Sequence, residues 1–180
     1  MAVMATGNRL TRGDLDALPD DGLRHELIDG TFVMTPAPGV AHQRFVFALA
    51  RSLHTAAQST ELDVLMAPLD VVLGPHVVQP DIVVAPRSAF TDRDLPLAPL
   101  LAVEVRSAST GWLDDGRKRA LYEESGVASY WLVDPLAPSI SVLELSDGQY
   151  VQVAAVQGDH TLAVTSPVHV RLNPAELARG

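Results

Sequence analysis

Two stretches constrain this chain more than any others: LLAVEV at 100–105 and PDIVVAP at 80–86. Each is an apolar, β-branched run of strand length, continuous rather than alternating. That is the pattern of a strand covered on both faces inside a layered protein. Yet each contains a carboxylate, Glu104 in one and Asp81 in the other. A buried, unpaired charge is strongly disfavoured, so both acids need partners. The economical common partner is a cation held between them.

The segments around these strands predict a single domain over residues 1–180 with mixed α/β (α+β) character, a central mixed sheet flanked by helices. Thr11 followed by Asp14 reads as the cap of a short helix. HELIDGTFVM reads as a hairpin turning at Asp29-Gly30, and Asp147-Gly148 signals a second hairpin. AHQRFVFALARSLHTAAQ places Val46, Leu49, Ala50 and Leu53 on one helical face. Residues 61–85 suggest two or three strands, and residues 86–99 a loop. WLDDGRKRALYEESG reads as a helix stopped by Gly126, and SYWLVD as a strand whose Tyr130 and Trp131 are packing residues.

With no cysteine, the chain has no disulfides, thiolate nucleophile or zinc-thiolate site. The formal charge of −9 is unfavourable for a general polyanion binder, unless a local basic groove or a bound divalent cation works against the average. No secretory leader or long apolar span is visible, which predicts a cytoplasmic protein with no membrane partner.

Asp81 follows Pro80 at a strand start, and Glu104 sits in a second strand only one loop away. As neighbours, the two strands bring the acids to one sheet end. Hard oxygens, with the carbonyl of Val105 as a further donor, suit Mg²⁺ or Mn²⁺. On the following helix Asp114, Lys118 and Tyr122 share a face, so Lys118 can approach the same point, and Glu26 is a fourth candidate. Each residue alone has a plainer reading. Asp81 fits a solvated strand edge, and Glu104 an ion pair with Arg44, Arg51 or Arg106. Lys118 fits the wet side of a helix, Glu26 an exposed hairpin position, and His42 a cap or surface residue.

The order Glu26, QPD ending in Asp81, Glu104-Val105 and Lys118 resembles the PD-(D/E)xK, or restriction-endonuclease-like, nucleases. Within them, HELIDGTFVMTPAPGVAHQ, VVQPDIVV and EVRSASTGWLDDGRKRALYEESGVASYWLVDP are similar to a bacterial family described as putative restriction endonucleases, present in many copies in cyanobacteria. The resemblance covers roughly residues 24–155. It implies a restriction-endonuclease-like core and Mg²⁺-type (or Mn²⁺) hydrolysis of DNA phosphodiesters. Asp81 and Glu104 would be the metal ligands, Glu26 an accessory acid and Lys118 the catalytic lysine. The superfamily's lysine falls two places after the glutamate, where this chain has Arg106; the family places it on the next helix.

The leading expectation is therefore a divalent-metal-dependent endodeoxyribonuclease acting on DNA as a homodimer, with edge strands in 139–156 as the interface. The net charge motivates an alternative, a non-catalytic oligomeric binding module on a nuclease-derived scaffold. A phosphoesterase acting on small substrates is a third possibility.

Overall fold

The computed structural model describes residues 2–4, 9–19, 21–107 and 114–180. The chain opens with β1 (Ala2–Met4), α1 (Arg12–Asp16), β2 (Arg24–Ile28), β3 (Thr31–Thr35) and α2 (Val40–Ala57). Strands β4 (Leu62–Met66), β5 (Asp70–Leu73), β6 (His76–Val78), β7 (Ile82–Pro86), β8 (Asp94–Leu95) and β9 (Leu101–Val105) follow. A wide π-helical turn over Asp114–Lys118 leads into α3 (Arg119–Glu124). The C-terminal part contains β10 (Ser129–Asp134), β11 (Ser139–Ser146), β12 (Gln149–Gln157), β13 (Leu162–Val164), β14 (Val170–Leu172) and α4 (Pro174–Arg179).

Local chemistry explains several of these elements. Thr11 and Asp14 form a reciprocal capping box at the start of α1. Asp29 and Gly30 both have positive φ (53° and 70°), as do Asp147 and Gly148 (51° and 79°). Two consecutive left-handed residues are what a tight hairpin turn matched to strand twist requires. In α2, Phe45, Val46, Leu49, Ala50, Leu53 and Ala57 are buried along one stripe, which fixes how the helix docks.

The mixed α+β architecture is as expected, with its strands divided between two six-stranded sheets. One runs β12-β11-β10-β9-β7-β4, with β9 and β10 parallel and the other pairs antiparallel. The other runs β1-β3-β2-β6-β5-β8, and β13 and β14 form a separate pair. Side-chain alternation in β7 and β9 explains the layering. Ile82, Val84, Leu101, Val103 and Val105 face the core shared with α2. Val83, Ala85 and Ala102 face the core shared with the second sheet and α3. Trp131 packs on the α2 side and Tyr130 on the other, both fully buried. The first sheet is therefore sandwiched, which is why its strands read as unbroken apolar runs. Among the described residues, no helix is long and apolar enough to cross a membrane.

Candidate active site

The four sequence-predicted residues come from separate elements and converge at the junction of the two sheets. Arg24, Glu26 and Ile28 alternate onto one face of β2, and Ile28 lies in the core between the sheets. Glu26 therefore points toward the other sheet. Asp81 immediately precedes β7, and Glu104 is the penultimate residue of β9. The β7–β9 register pairs Ile82 with Val103, so its next step sets Asp81 across from Glu104. Lys118 closes the wide turn ahead of α3.

All four are almost fully buried: Glu26 is 1% exposed, Asp81 3%, Glu104 2% and Lys118 2%. The readings of Asp81 as a solvated edge acid, Glu26 as an exposed hairpin residue and Lys118 as a wet-face charge therefore do not hold. The second sheet and α3 cover the positions that those readings left open. Lys118 Nζ lies 2.9 Å from Glu26 Oε1 and 2.9 Å from Glu104 Oε1. Tyr122, one helical turn beyond Lys118, donates its hydroxyl hydrogen to Glu104 Oε1 at 2.7 Å. The amide of Gln79 donates to Glu26 Oε1 at 2.7 Å. Thus Glu104, for which an ion pair with Arg44, Arg51 or Arg106 was the alternative, pairs with Lys118.

Asp81 has a separate set of partners. Its Oδ2 accepts from the Val105 amide at 2.8 Å and faces His42 Nε2 at 3.1 Å, where an ionised acid needs a ring N–H. Its Oδ1 accepts from Arg24 Nη2 at 3.1 Å. Burial by itself would raise the pKa of Asp81. The His42 hydrogen bond, the charges of Arg24 and His42 and the Val105 amide outweigh it and hold the group below the ordinary carboxylate value. For Tyr122, burial and then the charges of Glu104 and Glu26 push the phenol well above its usual value.

Arg24 and His42 are site residues that sequence reasoning missed or left open. His42 is 7% exposed and faces Asp81, so it is neither a cap nor a surface residue. Arg117 is a third. It donates to Asp29 Oδ2 at 3.0 Å and to the Ile28 carbonyl at 2.9 Å, fastening the Lys118 turn to the β2–β3 hairpin. Ser109, Thr110, Leu113 and the side chain of Asp114 lie outside the described residues.

Glu26, Asp81, Glu104, Val105 and Lys118 line one cavity of about 310 Å³, closed by segment 36–38, Pro135 and Leu136. Two carboxylates at adjacent strand ends form a hard-oxygen donor set compatible with Mg²⁺ or Mn²⁺. The Lys118 ammonium shows that Glu26 and Glu104 already hold a positive charge between them. Among the described residues, no three His, Asp or Glu side chains are grouped as a ready cage. A buried ammonium, buried acids and a concave wall give the means to place a phosphate ester and stabilise charge on it.

Residues 13–175 match the family Uma2, described as "Putative restriction endonuclease". No curated protein matches the chain. Among solved structures, the chain is similar to a putative nuclease belonging to DUF820 from Anabaena variabilis. The two share 18% identity and a TM-score of 0.74, over 94% of this chain and 98% of that one. At that identity the likeness is one of fold.

Proposed function

From the premise that this chain belongs to the Uma2 putative restriction endonuclease family, we propose that it is a divalent-metal-dependent endonuclease hydrolysing DNA phosphodiester bonds. The observation that carries this reading is the convergence of Glu26, Asp81, Glu104 and Lys118, from four separate elements, in one cavity.

Asp81 and Glu104, with Val105 beside them, would hold Mg²⁺ or Mn²⁺, which supplies Lewis acidity and a more acidic bound water. The chain's own groups do the remaining work. Lys118 brings a fixed positive charge to the point where a phosphate gains negative charge, in a site where surrounding water is scarce. Glu26 and Glu104 fix the position of that ammonium, and Tyr122 holds Glu104. His42 and Arg24 hold Asp81 ionised and oriented toward the cavity. As a homodimer joined through the edge of β12, the protein would present two such cavities, one for each strand of a duplex.

Purified protein with Mg²⁺ or Mn²⁺ should nick DNA, while Asp81→Asn and Glu104→Gln should not. Identical behaviour of all three proteins on every nucleic acid tried would end this reading.

A second reading has one observation in its favour: both oxygens of Asp81 are engaged and Lys118 is clasped by two acids, as in a purely structural network. It makes the protein a non-catalytic oligomeric binding module. Calorimetric titration with Mn²⁺ separates the two, since the module predicts no binding that depends on Asp81 and Glu104.

A further inference from the structure

The cavity of the candidate site does not end at Asp81. A second cavity, of about 420 Å³, adjoins it, and the two share Arg24, Thr35, segment 36–38, His42 and Asp81 among their lining residues. Their electrostatic character differs. The first contains three carboxylates, from Glu26, Asp81 and Glu104, and with them Lys118 and Arg106. Among the described residues, the second contains one carboxylate, Asp81, already met by Arg24 and His42, together with the neutral amides Gln43 and Gln79. An anion entering the second therefore meets one acid, and that acid already has its partners.

Arg24 stands at the junction. Among the described residues its guanidinium donates to the Gln79 carbonyl at 2.8 Å and to Asp81 at 3.1 Å. That commits two of its five N–H donors and anchors the plane. Arg24 pairs directly with Thr35 in the β2–β3 ladder, so both side chains emerge on the same face. Thr35 is 6% exposed, and its hydroxyl has no hydrogen-bond partner among the described residues. A buried hydroxyl without a partner is costly, and a change of χ1 rotamer re-aims it. An anchored guanidinium beside an unsatisfied hydroxyl, in the wall that the two cavities share, suits a phosphodiester oxygen.

We propose that Arg24 and Thr35 form a second phosphate position, holding the backbone phosphate of a nucleic acid that neighbours the one presented to Glu104 and Lys118. The ligand's identity rests on the nuclease reading, but the position can be tested without cleavage. The test measures binding of a short labelled DNA oligonucleotide, single-stranded in one arm and duplex in the other, in EDTA across a range of salt.

Arg24→Gln should bind about tenfold more weakly. Its log–log salt slope should be shallower by about 0.7 for a single strand or about 0.9 for a duplex. Arg24→Lys should keep the slope. Thr35→Val should weaken binding with the slope intact, and Thr35→Ser should restore it; melting curves confirm that each variant is folded. An unchanged slope in Arg24→Gln, or wild-type affinity in Thr35→Val, overturns the position, as does absence of oligonucleotide binding by the wild type. If the wild type cleaves DNA while its slope ignores Arg24, only this position fails. If binding depends on Arg24 but no condition yields cleavage, only the nuclease reading fails.

Discussion

Asp81 and Glu104 face each other one register step beyond the Ile82–Val103 pair, at the ends of β7 and β9. Two like charges directly opposite on neighbouring strands repel, and here the chain meets each with a different cation. Arg24 pairs with Asp81, which also faces His42, and Lys118 pairs with Glu104. That division makes the acids separately testable.

Removing the ammonium takes from buried Glu26 and Glu104 the positive charge that they share. Lys118→Met is expected to abolish DNA nicking and to cost about 3–5 kcal/mol of stability. Adding Glu104→Gln should recover part of that stability but none of the activity. Urea denaturation of the single and double variants measures both effects. A single-variant loss below about 1 kcal/mol would show that the acids do not depend on Lys118.

The pH dependence of Asp81 has a definite sign. Its carboxyl ionises more readily folded than unfolded, so its contribution is complete above the unfolded value near pH 4 and fades as pH falls further. Asp81→Asn should cost about 1.5–3 kcal/mol near neutrality, and the gap from wild type should narrow toward strong acid. Thermal melts over that range report it, and a constant gap would contradict the assignment.

At the alkaline end the phenols take over. Tyr122 and Tyr150 are both held protonated above the ordinary tyrosine range, by burial first and then by nearby carboxylates. The unfolded chain loses those protons near pH 10, so stability should decline above that point. Tyr122→Phe should flatten the decline while costing about 1–2 kcal/mol at neutral pH through the lost bond to Glu104. Equilibrium unfolding at neutral and alkaline pH tests both parts.

β12 ends its sheet, and Val151 and Val153 on it are 52% and 51% exposed. An unpaired, apolar edge invites pairing with a second copy. Light scattering should therefore find a dimer, and Val153→Lys should yield monomers. A wild-type protein that is strictly monomeric at micromolar concentration would remove the dimer.

What the sequence revealed follows from the range over which each feature is determined. The Asp29-Gly30 and Asp147-Gly148 turns and the Thr11 cap depend on a few adjacent residues, and all were legible. Glu26, Asp81, Glu104 and Lys118 were nominated by order and by acids in apolar runs. The attachment of Asp81 to Arg24 and His42 was not legible, because those partners lie 57 and 39 residues away and meet it only once both sheets are stacked. The division of strands between two sheets was hidden for the same reason: an apolar run announces burial without naming what covers it.

Arg117 carries a consequence for the tip of the β2–β3 hairpin. Through Asp29 and Ile28 it moors the Lys118 turn to a solvent-facing loop, and Gly30 in that loop leaves no room for a methyl group beside Arg9. A change at this outlying corner would reach the buried ammonium through a single guanidinium. The hairpin tip thereby acts as a distant strut for the candidate pocket.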